Sequence, residues 1–189
     1  GRRMHKYLLT LLVLMIASPS MALLETLKMN EYYGDDAVIA AAKHYGYKGP
    51  IDPIARRIIH EEGFVDGTYL DSKGIPTEGI GVADPELRGK PWFTEVLPIY
   101  QQQAQTATKG FEKLTTEQQG AITSMAYRGD WGKKTRGHLN KGNLKAAAKE
   151  YLDHNEYRKG KAKNATDAQR AISRRMLENA RDLDPEVKA

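Results

Sequence analysis

One glycine-rich, non-helical stretch interrupts a chain whose remaining apolar residues repeat with a helical period. Gly63 to Val82 (GFVDGTYLDSKGIPTEGIGV) holds five glycines, short apolar pieces and the turn sequence Asp71-Ser72-Lys73-Gly74. This pattern predicts a small antiparallel hairpin sheet, because glycine occupies turns and crowded backbone positions that other residues resist. Upstream, Ile51–Glu62 (IDPIARRIIHEE) places Ile54, Ile58 and Ile59 on one helical face and Arg56 and Arg57 on another, with Gly63 as C-cap. A helix is therefore expected to end just after Glu62. Downstream, Phe93–Lys113, Thr115–Tyr127, Leu144–Asp153 and Ala165–Leu183 show i, i+3, i+4 apolar spacing, several with Thr, Asn or Asp at the start. The expected fold class is α+β: a helix and a small antiparallel sheet followed by a helical lobe.

Residues 1–22 read as a leader. Arg2, Arg3 and Lys6 precede the apolar run Tyr7–Ala17, followed by Ser18-Pro19-Ser20-Met21-Ala22, which is the order of a secretory signal peptide cleaved after Ala22, or of an uncleaved signal anchor. The run is shorter than the roughly 18 residues a spanning helix needs. Residues 23–48 read as an N-terminal extension with a helix near Ala37–His44, and 49–189 as the main domain.

The chain has no cysteine, which excludes disulfides, thiolate metal sites and a cysteine nucleophile. Its five histidines, His5, His44, His60, His138 and His154, lack paired metal-ligand spacing and read as surface or packing residues. No metal or other cofactor is expected. Charge is uneven: residues 1–100 carry 11 basic and 13 acidic side chains, and 101–189 carry 18 and 11. A basic half attracts a polyanion without selecting which one. Lys133-Lys134-Thr135-Arg136-Gly137-His138 beside Trp131 fits a nucleic-acid contact or a rim gripping anionic glycan equally well.

The residues that carry chemistry are Glu62, Asp71 and Thr77. A helix-end Glu against Ile58, Phe64 and Tyr69 can be desolvated enough to keep its proton, whereas a turn Asp stays wet and charged. Two such carboxylates facing a groove suit glycoside hydrolysis, one donating to the leaving oxygen and the other steering water. Glu61 points about 100° away from Glu62 on the same helix.

In order and spacing, Glu62-Gly63, Tyr69, Asp71, Gly74, Thr77 and Gly79-Ile80-Gly81 resemble the Glu-x8-Asp-x5-Thr region of the T-even phage-type lysozymes, the muramidases of phage endolysins and tail lysozymes. Leu114–Tyr127 (LTTEQQGAITSMAY) is similar to the central helix of their helical lobe, and Ala171–Leu183 (AISRRMLENARDL) to their closing Arg-Arg helix, so the resemblance spans about Ile51 to Leu183. Two features depart from it: Val82 stands where many relatives have His, and Pro76 directly precedes Thr77. The resemblance implies a lysozyme-like fold with Glu62 as general acid, Asp71 as second carboxylate and Thr77 holding the attacking water. Tyr69, Gly79, Tyr127 and Arg128 are expected to contact substrate. The expected activity is cleavage of the β-1,4 bond between N-acetylmuramic acid and N-acetylglucosamine, by an exported monomer working in the periplasm or cell wall. Peptidoglycan strands are the expected partner, with transient inner-membrane contact through the leader and no nucleic acid. The alternative is an inactive lysozyme-fold module that binds cell wall or serves in a virion.

Overall fold

In the computed structural model, which describes residues 29–71 and 73–189, the glycine-rich stretch forms the hairpin its sequence predicts. The leader expected at residues 1–22 lies outside the described residues. Strand β1 (Glu31–Tyr32) and helix α1 (Gly34–His44) lead to helix α2 (Pro53–Glu62), followed by strands β2 (Phe64–Leu70) and β3 (Pro76–Gly79). After a π-helical turn at Trp92–Val96 the chain is helical: α3 (Leu97–Ala107), a 3-10 turn at Phe111–Lys113, α4 (Thr116–Arg128), α5 (Lys133–Asn140), α6 (Leu144–Leu152), α7 (Asn155–Lys161) and α8 (Asp167–Leu183). The class is α+β, and the sheet has three antiparallel strands in the order β1-β2-β3. Among the described residues no helix is long and apolar enough to cross a membrane.

The chain divides into two compact units, one running to Ile51 and resuming at Ile58–Val96, the other combining Asp52–Arg57 with Leu97–Ala189. Helix α2 thus contributes its first half to the second unit and the remainder to the first. Asp52 caps it, its Oδ1 accepting from the Ile54 N–H at 2.6 Å, with Pro53 at the first helical position where no N–H is needed.

The described part of the segment read as an extension is built into the first unit. Glu31 and Tyr32 pair with Val65 and Phe64, and α1 buries Ala37, Val38 and Ala41. The apolar side of α1 is what ties it in, so the expected boundary at residue 48 does not separate a free extension from the fold. Ile58, Ile59, Phe64, Ile80 and Trp92 are fully buried in the same unit, each contributing about 1.5–3 kcal/mol of apolar burial.

The helix expected over Phe93–Lys113 opens as a π-helical turn and stops early, at Ala107. Pro98 has no N–H to donate, and just before it the Val96 N–H reaches back to the Pro91 carbonyl in a π-type bond of 3.3 Å, the turn running without a gap into α3. At the other end Gly110, with φ +68°, turns the chain. Capping boxes Thr115/Gln118 and Thr166/Gln169 start α4 and α8 as their sequences imply. Helices α5 and α7 go beyond the helices the apolar spacing predicts; α5 buries only Thr135 and Leu139 and carries no apolar stripe for periodicity to detect.

The core of the second unit gathers Ile122, Met125, Leu139, Tyr151, Met176 and Leu183, and polar groups run through it as a chain. The Arg57 guanidinium donates to Asn179 Oδ1 at 2.8 Å and pairs with Asp182 at 2.7 Å. Asn179, fully buried, donates to Ser124 Oγ at 2.9 Å and toward the Tyr151 phenol. The Tyr151 hydroxyl donates to Asp130 Oδ1 at 2.9 Å, and Asp130 also holds Arg128. Burial and then the Asp130 charge keep the Tyr151 phenol protonated well above its ordinary range. Asn179→Ala removes partners from Arg57, Ser124 and Tyr151 together, and is expected to cost about 2–3 kcal/mol, read as a lower midpoint in urea unfolding with the slope unchanged.

Candidate functional site

Gly63 sets where Glu62 stands. Its φ of +71° is a left-handed conformation that ends α2 while its N–H donates to the Ile59 carbonyl at 2.7 Å, and β2 begins at the next residue. Glu62 is therefore the last helical residue, and its carboxyl group lies over Gly81. A Cβ added at Gly81 would sit 2.7 Å from Glu62 Oε2 and 3.4 Å from its Cδ, and Gly81 has φ +64°. Both the backbone and the carboxyl require glycine there. The Gly79-Ile80-Gly81 turn is closed by reciprocal bonds between Glu78 and Val82 of 3.0 and 2.9 Å, and Val82 is buried at 5% exposure.

The hairpin places the other residues. Tyr69 opposes Thr77 across the β2–β3 ladder, so the two side chains share a sheet face, and Asp71 follows Tyr69 by two positions, at the mouth of the turn. Asp71 Oδ1 accepts from the Lys73 and Ile75 N–H groups at 2.8 and 2.9 Å, which pins the carboxylate and leaves Oδ2 outside these turn bonds. Thr77 is only 4% exposed, and its hydroxyl donates to the Ile75 carbonyl at 2.9 Å. With its hydrogen committed, Thr77 Oγ1 retains lone pairs with which it could accept. Pro76 is the first residue of the edge strand β3, where the missing N–H is tolerated. Gly79 lies against the Tyr45 hydroxyl.

Tyr69 lies within electrostatic reach of three carboxylates. Desolvation raises its phenol from the ordinary 10.0 to about 12, reinforced by the charges of Glu62, Glu31 and Asp71. Glu31, on β1, was not among the residues singled out from the sequence. It accepts a hydrogen bond from the Tyr33 hydroxyl, and the Tyr33 ring stands 3.5 Å from where a Cβ on Gly63 would be. A two-residue strand is too short to show alternation; the signal that points to it is the β-forming pair Tyr32-Tyr33 directly after the acid.

Tyr127 and Arg128 belong to the second unit. The Tyr127 ring packs on Tyr100 with centroids 4.7 Å apart, and Arg128 Nε donates to Asp130 at 2.8 Å, the two side chains being 10% and 7% exposed. The histidines with described side-chain partners do local work: His60 meets Asp35 at 2.9 Å, His44 meets Asp66 at 3.2 Å, and His154 Nδ1 caps α7. Among the described residues no group of three or more His, Asp or Glu could hold a metal ion. Chemically, the first unit presents two carboxyl groups, one at a helix end and one held in a turn, and a hydroxyl on the neighbouring strand.

Tyr69 and Tyr45 both hold their protons up to about 12 against an ordinary 10.0, Tyr45 through burial and then the Glu78 charge. The folded chain therefore binds more protons than the unfolded chain across that interval. Their contribution to stability is complete below pH 10.0 and falls as pH rises toward about 12. Phenolate absorbance is expected to show these groups titrating late, and Tyr69→Phe to remove one late step and flatten the alkaline fall in Tm; a Tyr69→Phe titration identical to that of the unaltered chain contradicts this placement.

No family model matches the chain, and no curated protein and no solved structure matches it either.

Proposed function

We propose that the chain is a peptidoglycan hydrolase with a lysozyme-like fold, a muramidase that cuts the β-1,4 bond between N-acetylmuramic acid and N-acetylglucosamine and works as an exported monomer in the periplasm or cell wall. The observation that supports this reading is that one unit holds Glu62 at the end of α2, Asp71 pinned at the mouth of the hairpin and Thr77 opposite Tyr69 on the ladder.

In this mechanism Glu62 protonates the bridging oxygen as the C1–O bond breaks, and positive charge develops on the sugar ring. A water molecule donates one hydrogen bond to Thr77 Oγ1 and gives its other proton to Asp71 as its oxygen attacks C1 from the opposite face. The bond to the leaving sugar is replaced by a C–OH bond, Glu62 ends ionised and Asp71 protonated, and a proton exchange with solvent resets the pair. Neither a metal nor an organic cofactor enters these steps.

Glu62→Gln keeps size and hydrogen bonding but removes the transferable proton. Lysis of cell walls is expected to fall by about 10² or more with the circular dichroism unchanged, since a general acid contributes roughly 10² to 10⁴ in rate; a variant keeping above about a tenth of the activity excludes the assignment. Unaltered protein that sediments with walls and releases no reducing ends would select the inactive wall-binding module instead.

Attack by water opposite Glu62 inverts the anomeric centre, an outcome associated with carboxyl groups about 6.5–9.5 Å apart. NMR immediately after cleavage is expected to show the α-anomer as first product, and a β-anomer appearing first contradicts the proposed roles of Asp71 and Thr77.

A further inference from the structure

The second unit carries a groove of about 470 Å³ lined by Gln102, Gln103, Thr106, Ala107, Trp131 and Arg136. The first four lie on α3 and Arg136 on α5, while Trp131 stands one residue before the Gly132 N-cap of α5. Trp131 is half-buried and packs against the core of this unit, so its indole is fixed in place while it lines the groove. Gln102, Gln103 and Arg136 are exposed. The Gln102 amide donates to Thr106 Oγ1 at 3.3 Å, one turn along the same helix.

This lining has a definite chemistry. An immobilised indole offers a flat apolar face of the size of a pyranose ring. Primary amides both donate and accept, matching the N–H and C=O of an acetamido group and the hydroxyls of a sugar. The lining includes one cation, Arg136, and no carboxylate, and a guanidinium fork is suited to a single carboxylate. Concave sites of this kind recognise by an apolar platform and a few converging polar groups. A nucleic-acid site would be expected to meet successive phosphates with several cations.

We propose that this groove is a glycan subsite for N-acetylated amino sugars that bear a carboxylate: Trp131 stacks on a sugar ring, Gln103 reads the acetamido group, and Arg136 pairs with the lactyl carboxylate of a muramyl residue. The inference rests on the peptidoglycan reading and adds to it a binding site formed wholly by the second unit.

The test uses the full chain carrying Glu62→Gln, so that the probe persists. Tryptophan emission is followed on titration with the peptide-free tetrasaccharide (GlcNAc–MurNAc)2, with chitotetraose and with a single-stranded DNA oligonucleotide. The chain has two tryptophans, and Trp92 is fully buried, so the responsive one is assigned by Trp131→Phe. A saturable change with the muramyl tetrasaccharide is expected, absent in Trp131→Phe. Gln103→Ala and Arg136→Gln, which alter exposed side chains and spare the fold, are each expected to weaken it at least fivefold. Arg136→Gln should bring the muramyl probe down to the affinity of chitotetraose. A signal that survives Trp131→Phe, affinities unchanged in both exposed variants, or tighter binding of the oligonucleotide overturns the proposal. These outcomes are separate from the catalytic one: if Glu62→Gln still lyses walls the hydrolase mechanism fails whatever the groove binds, and if the groove variants bind normally the subsite fails whatever Glu62 does.

Discussion

The left-handed turn at Gly63 is the constraint on which the first unit depends. Ile58 and Ile59 are fully buried, so the rotation of α2 about its axis is fixed by apolar packing, and the helix must then stop at one residue and no other. Each further helical residue turns the chain by about 100°. Stopping one residue earlier would put Glu61 at the end, and continuing one further would carry Phe64 out of its ladder position opposite Tyr32. With φ +71° at Gly63 the strand begins at once, and Glu62 is delivered over Gly81, the position that has room for its carboxyl group. One backbone conformation thus couples the helix, the sheet register and the location of the carboxyl.

The sheet is small, and its geometry is correspondingly held by local devices. The ladder slips between Val65 and Thr68, at a bulge that includes Gly67, and resumes with Thr68 opposite Glu78. Beyond the bulge the alternation of the strand puts Tyr69 and Thr77 on one face. The turn that follows is organised by Asp71 itself, which accepts two backbone N–H groups, so the residue assigned the charged role is also the one that shapes its own support. Pairs such as His60 with Asp35 and His44 with Asp66 are largely solvent-exposed and add little beside the burial of Phe64 and Ile80.

What the sequence made legible follows the same physics. The end of α2, the hairpin with its Asp71–Gly74 turn, and the start of α4 were readable because each is written in residues a few positions apart: a glycine after a helical stripe, an Asp and a Gly bracketing a turn, a threonine ahead of an apolar repeat. Glu31 was not, because its place beside Tyr69 comes from the pairing of β1 with β2, more than 30 positions away along the chain. Helices α5 and α7 escaped because both are short and polar, and α7 buries only Gly160. The π-helical turn before α3 goes with Pro98, whose missing N–H a reading of apolar spacing alone does not register.

Arg57 shows where pattern reading and packing diverge most. Beside Arg56 in a helical stripe it belongs to the polar face, and the usual inference for such a side chain is contact with solvent. Instead its guanidinium reaches Asn179 and Asp182 on α8 and the Glu117 carbonyl at 3.4 Å. The stem of Arg57 also lies 3.0 Å from where a Cβ on Gly120 would stand, so a glycine in the first half of α4 leaves space for it. The arginine brings five donors with it, and much of the second unit's internal polarity is arranged to accept them or to relay the chain onward through Asn179 to Ser124 and Tyr151. Removing Asn179 would strand the buried Ser124 and Tyr151 groups, while the Arg57–Asp182 end of the network keeps some access to water. The part of α2 that belongs to the second unit is thus held there by an interaction no periodicity encodes.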